Sequence, residues 1–218
     1  MLKVFRWTIA QFFELNWWKT YLRNQSVDDY LAWKRKYWKD FLVSIELSEF
    51  EFSNDNIALL DVGCGPAGIF CIFPNKSITA VDPLIHKYQA ELPHFKKINY
   101  PKVNFVQSSL EEFYSNFNYD VVFCINCINH VLDIQKSIQK LSALCKQGAM
   151  LVISTDVHHN NLLKSVFKVI PGDILHPHQY NKKEYVELLE NGGFQMINEY
   201  QLKHERIFDY WVFVMKKI

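Results

Sequence analysis

The residues best spaced for chemistry are Asp61, Gly63, Gly65 and Gly68, at the end of the apolar run Ile57 to Leu60. The run predicts a buried strand. It ends in an acid, then glycines, then Pro66, which suits the first turn of a helix. Glycines at such a junction let the chain turn sharply and let a ligand approach the backbone. Free N–H groups at the helix start then face that ligand. At the carboxyl end of a strand in an open α/β sheet, this is a cradle for a nucleotide-type ligand.

The spacing Gly63-x-Gly65-x-x-Gly68 also fits a dinucleotide fingerprint. Asp61 argues against that ligand, because a carboxylate beside the loop repels a pyrophosphate. S-adenosylmethionine has no phosphate and carries an ammonium and a sulfonium, so an acid is welcome there. The next strand, Ser77 to Val81, ends in a second acid, Asp82, placed to accept both hydroxyls of a ribose.

With these residues the chain resembles the class I S-adenosylmethionine-dependent methyltransferases. The matching motifs are Asp61-Val62-Gly63-Cys64-Gly65-Pro66, Ala80-Val81-Asp82-Pro83 and Tyr119-Asp120-Val121-Val122-Phe123, within a stretch from about Asn56 to the C-terminus. The resemblance implies an α/β fold: a doubly wound, mostly parallel sheet, Rossmann-like, ending in an antiparallel β-hairpin. It implies S-adenosylmethionine as cofactor, held by Asp61, Gly63, Cys64 and Gly65, by Asp82 and Pro83, by Ser109 and Leu110, and by Asn126. In the family, the strand end at Ser109 usually carries an acid that bonds the adenine amino group. A serine stands there instead, so its hydroxyl or the Leu110 N–H would have to reach the base. Ser108-Ser109 also reads as a cap for a turn from Leu110 to Tyr114.

Methyl transfer from a sulfonium is an in-line displacement on an activated donor. The protein must align the nucleophile and exclude water. A hydroxyl or ammonium acceptor also needs a base, and histidine serves at neutral pH. The candidates are His130, His176 and His178. Each has a structural reading too: a hydrogen bond at a helix start for His130, loop polarity for the other two. No metal is expected. His176-x-His178 lacks a placed third ligand, and Cys124-x-x-Cys127 lacks a second cysteine pair and a basic neighbour.

The elements that must position these residues alternate strand and helix from about Asn56. Strands are predicted at Val103–Val106, Asp120–Ile125 and Met150–Ser154, with a helix from Ile134 closed by Gly148. Asn181-x-x-Glu184 is a capping box that opens a helix ending at Gly192-Gly193. Two strands, Phe194 to Leu202 and Ile207 to Lys216, finish the chain as a hairpin. Ser53 to Asn56 is a polar turn cluster, which divides a helical cap (residues 1–52) from the cofactor domain (53–218).

The cap reads as two or three helices. Phe5, Ile9, Phe12 and Asn16 recur at helical spacing, as do Tyr30, Trp33, Tyr37 and Phe41, with Ser26 as an N-cap. Lys34, Arg35, Lys36 and Lys39 fall on the opposite, solvated face. Three readings of the aromatics stay open: packing onto the sheet, a lid whose inner rings line an acceptor pocket, and an interfacial membrane helix. For a lid, Tyr21, Trp33 and Tyr37 are the candidate pocket residues.

Composition bounds the function. The chain of 218 residues carries 24 basic and 23 acidic residues, so no net charge draws it to nucleic acid. It has neither an Asn/Asp-Pro-Pro-aromatic tetrad nor a Pro-Cys dipeptide for base methylation. Five cysteines, an odd count without framework spacing, imply reduced thiols and a cytoplasmic home. Arg6, Gln11 and Glu14 break the apolar N-terminus, which therefore reads as neither a signal peptide nor a membrane span. The expected function is methyl transfer to an oxygen or nitrogen of a small molecule with an apolar body, with no nucleic-acid or membrane partner. The alternative is a catalytically idle cofactor- or partner-binding module on the same fold, with a nicotinamide oxidoreductase behind both.

Overall fold

The computed structural model describes residues 2–52, 54–158, 180–205 and 208–218. Seven strands form one sheet in the order β3-β2-β1-β4-β5-β7-β6. They are β1 (Leu59–Val62), β2 (Ile78–Val81), β3 (Val103–Val106), β4 (Tyr119–Ile125), β5 (Cys145–His158), β6 (Phe194–His204) and β7 (Phe208–Lys217). β1 lies at the centre, pairing Leu59 with Ile78 of β2 and with Val121 of β4, both in parallel. β7 inserts antiparallel between β5 and β6, pairing Ser154 with Val212. This is the doubly wound sheet with a terminal hairpin that the motifs imply.

The central strands β1, β2 and β4 are mostly apolar because both faces are covered. Leu59 points into a core shared with α1 (Leu2–Leu22), α2 (Val27–Ser44) and α3 (Ile85–Glu91). Leu60 and Val62 point into the opposite core, under α4 (Ile134–Leu144) and α5 (Lys182–Asn191). The caps follow the sequence: Ser26 accepts the Asp29 N–H, and Asn181 and Glu184 form a reciprocal capping box. Asp133 caps α4 by accepting the Lys136 N–H at 3.1 Å.

Four local expectations are corrected. Gly148 does not end α4: the helix stops at Leu144, and Cys145 is already extended. Gly148 lies inside β5 at φ +77°, where the register with β4 shifts between Tyr119 and Val121. Its left-handed backbone makes the kink that a residue with a Cβ resists.

After β1 there is no α-helix start. Two short 3₁₀ turns, Gly65–Ala67 and Ile69–Ile72, flank an extended Gly68. The Asp61 carboxylate accepts the Phe70 N–H at 3.3 Å, so the acid before the glycines organises the loop from below.

The third correction concerns α1. Its stripe of Phe5, Ile9, Phe12 and Asn16 does not pack on the sheet: Phe5 is 63% and Phe12 58% exposed. The polar residues Gln11 and Glu14 turn inward instead, because the space beneath α1 is a cavity lined with polar groups. The fourth concerns Lys34, which leaves the solvated face of α2. Its ammonium lies 4.9–5.5 Å from the ring centroids of Trp33, Tyr37 and Trp38 and faces the same cavity.

α2 is joined to the sheet core by Trp38, whose indole N–H donates to the Ala67 carbonyl at 2.9 Å. α1 is tied down by polar contacts. Lys19 pairs with Glu91, and the Tyr88 hydroxyl donates to Glu14 at 3.2 Å.

Candidate active site

A cavity of about 630 Å³ opens at the carboxyl ends of β1, β2, β4 and β5. Its floor is the glycine loop. Asp61, Gly63, Cys64, Gly65, Asp82, Pro83, Ser109, Leu110, Asn126 and His130 all line it. His176 and His178 lie outside the described residues.

The glycines differ in purpose. Gly63 has φ +64°, and a Cβ there would overlap the Cys127 side chain. Its missing side chain therefore serves packing against the β4 end. Gly65 has φ +58°, and a Cβ there would meet only Trp18, at 3.6 Å across the cavity. Gly65 is where a ligand can lie against the backbone.

Asp82 is 4% exposed, and its two oxygens accept the Gly65 N–H at 2.9 Å and the Leu84 N–H at 2.8 Å. Both bonds fix the carboxylate at the strand end, and each oxygen keeps a lone pair for a ligand. Ser109 caps the following turn: its hydroxyl accepts the Glu112 N–H at 3.3 Å, and its carbonyl accepts the Phe113 N–H at 3.0 Å. The cap and the cavity position coexist in one residue.

Asn126 closes β4 in the left-handed region, at φ +51°, which asparagine tolerates better than most residues. Its N–H donates to Ser154 Oγ at 2.9 Å, and Ser154 Oγ lies 2.7 Å from the Tyr210 hydroxyl. This chain fixes the wall between the cofactor loop and the hairpin. Cys124 Sγ and Cys127 Sγ are 3.0 Å apart, and Cys127 donates to the Val62 carbonyl at 3.2 Å. Its contact with Cys124, then burial, push the Cys127 thiol well up, which keeps it inert. Among the described residues, no group of three or more His, Cys, Asp or Glu is placed to hold a metal.

The charge of the cavity is its most informative property. Six carboxylates line it, Glu14, Asp61, Asp82, Glu111, Asp156 and Glu205, against two lysines, Lys34 and Lys203. Burial, then the neighbouring Asp82, raise Glu14 to about 7. Burial raises Asp61 to about 7 and Asp82 to about 6. Burial lowers Lys34 to about 8. Burial disfavours the charged form of each of these groups, and an oppositely charged ligand would favour it again.

Sequence reasoning missed Glu14 and Lys34. Glu14 had a signal, as the single acid before Asp28 in an aromatic stretch. Lys34 had none, since it sits in a run of basic residues. Of the lid candidates, Tyr37 lines the cavity, as do Trp7, Trp17, Trp18 and Trp38. Tyr21 and Trp33 are 39% and 49% exposed and do not line it.

Known proteins resemble this chain in sequence and in fold. A methyltransferase domain family model covers residues 30–199. A ubiquinone biosynthesis O-methyltransferase of Rickettsia conorii is 37% identical over 113 residues, half of this chain and 39% of its own length. That of Rickettsia canadensis is 30% identical over 153 residues, 64% of this chain and 63% of its own. The chain thus spans less than two thirds of the length of these two relatives.

Among solved structures, the 1,6-didemethyltoxoflavin-N1-methyltransferase of Burkholderia thailandensis, with S-adenosylhomocysteine bound, shares the fold. It has a TM-score of 0.60 and 17% identity, and the match covers 93% of this chain and 85% of that one. A methyltransferase of Bacillus halodurans described as putative has a TM-score of 0.61 and 14% identity, covering 77% and 96%. With the glycine loop, the strand-end acids and the strand order in place, the family match decides the identity: the chain belongs to the methyltransferase domain family, the class I S-adenosylmethionine-dependent methyltransferases.

Proposed function

We propose that the chain transfers a methyl group from S-adenosylmethionine to an oxygen or nitrogen of a small molecule with an apolar body. The observation that carries this reading is a single cavity in which a glycine loop and buried carboxylates meet a wall of indole and phenol rings. The residues fit the cofactor. Gly65 offers open backbone, Asp82 is a pre-oriented acceptor for a ribose diol, and a cavity rich in acids suits a cationic donor. The bound cofactor supplies an activated methyl group, and this chain supplies the rest.

In this reading Ser109 and Leu110 border the adenine. Lys34 faces the methionine carboxylate, with Asp61 nearby for the ammonium. The aromatic rings of α1 and α2 act as a cap that excludes water and favours positive charge. His130, at the end of a 3₁₀ turn after β4, accepts the acceptor's proton. The five cysteines are all free thiols, which fits a cytoplasmic setting. Among the described residues, no helix is long and apolar enough to cross a membrane.

Calorimetric titration with S-adenosylhomocysteine tests the cofactor site. Asp82→Ala should weaken binding by roughly 1.5–3 kcal/mol, the scale of hydrogen bonds to a charged group. Heat with NAD in place of S-adenosylhomocysteine would overturn the reading. Cofactor binding without turnover across a panel of phenols, hydroxy acids and amines would favour an idle binding module.

A further inference from the structure

The outer face of α1 has no place in the methyl-transfer reading. The helix turns Gln11 and Glu14 to the cavity together with Trp7 and Trp18, and leaves a second aromatic group, Phe5, Phe12 and Phe13, on the outside. Phe5 is 63% exposed, Phe12 58%, Phe13 50% and Trp17 55%. The helix precedes the stretch matched by the methyltransferase family, which begins at residue 30. The inner side already buries Ala10, Leu15 and Leu22, so the outer rings form a second apolar stripe on a face that an ordinary amphipathic helix leaves polar.

The charges on the same element indicate what covers the stripe. α1 contains one acidic residue, Glu14, and it faces the cavity. Arg6, within the stripe, and Arg23, just past its end, are exposed. Asp28 and Asp29 lie beyond it, in the first turn of α2. The exposed surface of α1 is therefore aromatic and basic. A protein surface of matching shape would pair those arginines with acids. A sheet of anionic headgroups over acyl chains meets both features at once, with the rings at the interface and the guanidinium groups among phosphates. Trp17, 55% exposed beside these rings, also lines the cavity, so the outer face of α1 adjoins the site.

We infer that α1 lies on the surface of an anionic membrane through Phe5, Phe12, Phe13 and Arg6, without crossing it. The sequence had led us to expect no membrane partner; the outward turn of the stripe is what changes that expectation. The surface stands independently of the reaction. That it delivers an apolar acceptor to the cavity mouth rests on the proposed function.

The test uses the full chain with mixed phosphatidylcholine–phosphatidylglycerol vesicles and with pure phosphatidylcholine vesicles, read by co-sedimentation. Binding should favour the anionic vesicles by about tenfold or more and should weaken with salt. Phe12→Ser with Phe13→Ser, and separately Arg6→Glu, should each cut it by about tenfold, with melting temperature and S-adenosylhomocysteine affinity unchanged. These residues do not line the cavity. Absence of binding to anionic vesicles, or equal binding by the variants, overturns the inference. So does a wild-type dimer that Phe12→Ser with Phe13→Ser converts to monomer, since the stripe would then cover a second copy. Loss of S-adenosylhomocysteine binding by the wild type would refute the proposed function and leave this result standing.

Discussion

Lys34→Met separates a cofactor contact from a packing role. The lysine ammonium lies against three aromatic rings, and methionine puts an apolar chain of similar length there while removing the charge. Burial brings the Lys34 ammonium down from 10.5 to about 8. A lowered lysine is protonated in the unfolded chain and increasingly neutral in the folded one between pH 8 and 10.5, so stability should rise across that window. At neutral pH the buried charge is a cost of up to roughly 3 kcal/mol, partly offset by the rings, which contribute about 0.5–2 kcal/mol.

Removing the charge should therefore leave the ligand-free melting temperature unchanged or a few degrees higher. Affinity should move the other way. A charge-assisted hydrogen bond to the methionine carboxylate is worth roughly 1.5–3 kcal/mol, or about 10- to 150-fold. Calorimetry with S-adenosylhomocysteine and with 5′-methylthioadenosine, which lacks the amino-acid portion, reads the difference. The loss should be confined to the first ligand, and Lys34→Arg should retain most of its affinity. The wild-type advantage over Lys34→Met should fade as pH rises above about 8. Equal affinities for S-adenosylhomocysteine in wild type and Lys34→Met, or equal losses with both ligands, would refute the assignment.

Gly63→Ala should lower stability by about 1–2 kcal/mol or more, from its positive φ and the overlap with Cys127, whereas Gly65→Ala should also weaken S-adenosylhomocysteine binding; paired melting and titration tell the two apart. Ser109→Ala should cost about 0.5–2 kcal/mol of stability through the lost cap, and Ser109→Asp should keep the cap and preserve or tighten cofactor binding, a pattern refuted if both variants bind alike. Asp61 and Asp82 are raised to about 7 and about 6 in the folded chain, so the unfolded chain releases their protons first as pH rises from 3.8. Their contribution to stability is present at acid pH and lost toward neutrality, so the melting-temperature difference between Asp61→Asn and the ligand-free wild type should change between about pH 5 and about pH 7.5, with the wild type relatively more stable at about pH 5. A cationic ligand should raise the melting temperature more at neutral than at acid pH, because it relieves carboxylates that are then ionised; a ligand effect independent of pH would contradict this.

The sequence by itself determined the frame. β1, β2 and β4 are short apolar runs that can only be buried on both sides, and turns, glycines and caps such as Ser26 and Asn181 are local interactions within a few residues. For the same reason the glycine loop, Asp61 and Asp82 were legible, because each sits at a fixed offset from a strand end. Tertiary structure decided what depends on which side of an element faces the rest. Helical spacing marked Phe5, Ile9 and Phe12 as one stripe of α1 but carried no information on direction, and a polar cavity beneath the helix turned that stripe outward. It likewise drew Lys34 out of a basic run onto three rings, and set Glu14 near Asp82 across more than sixty residues of chain. These placements are long-range, set by packing and by the charge of the cavity, and a pattern read along one chain does not contain them.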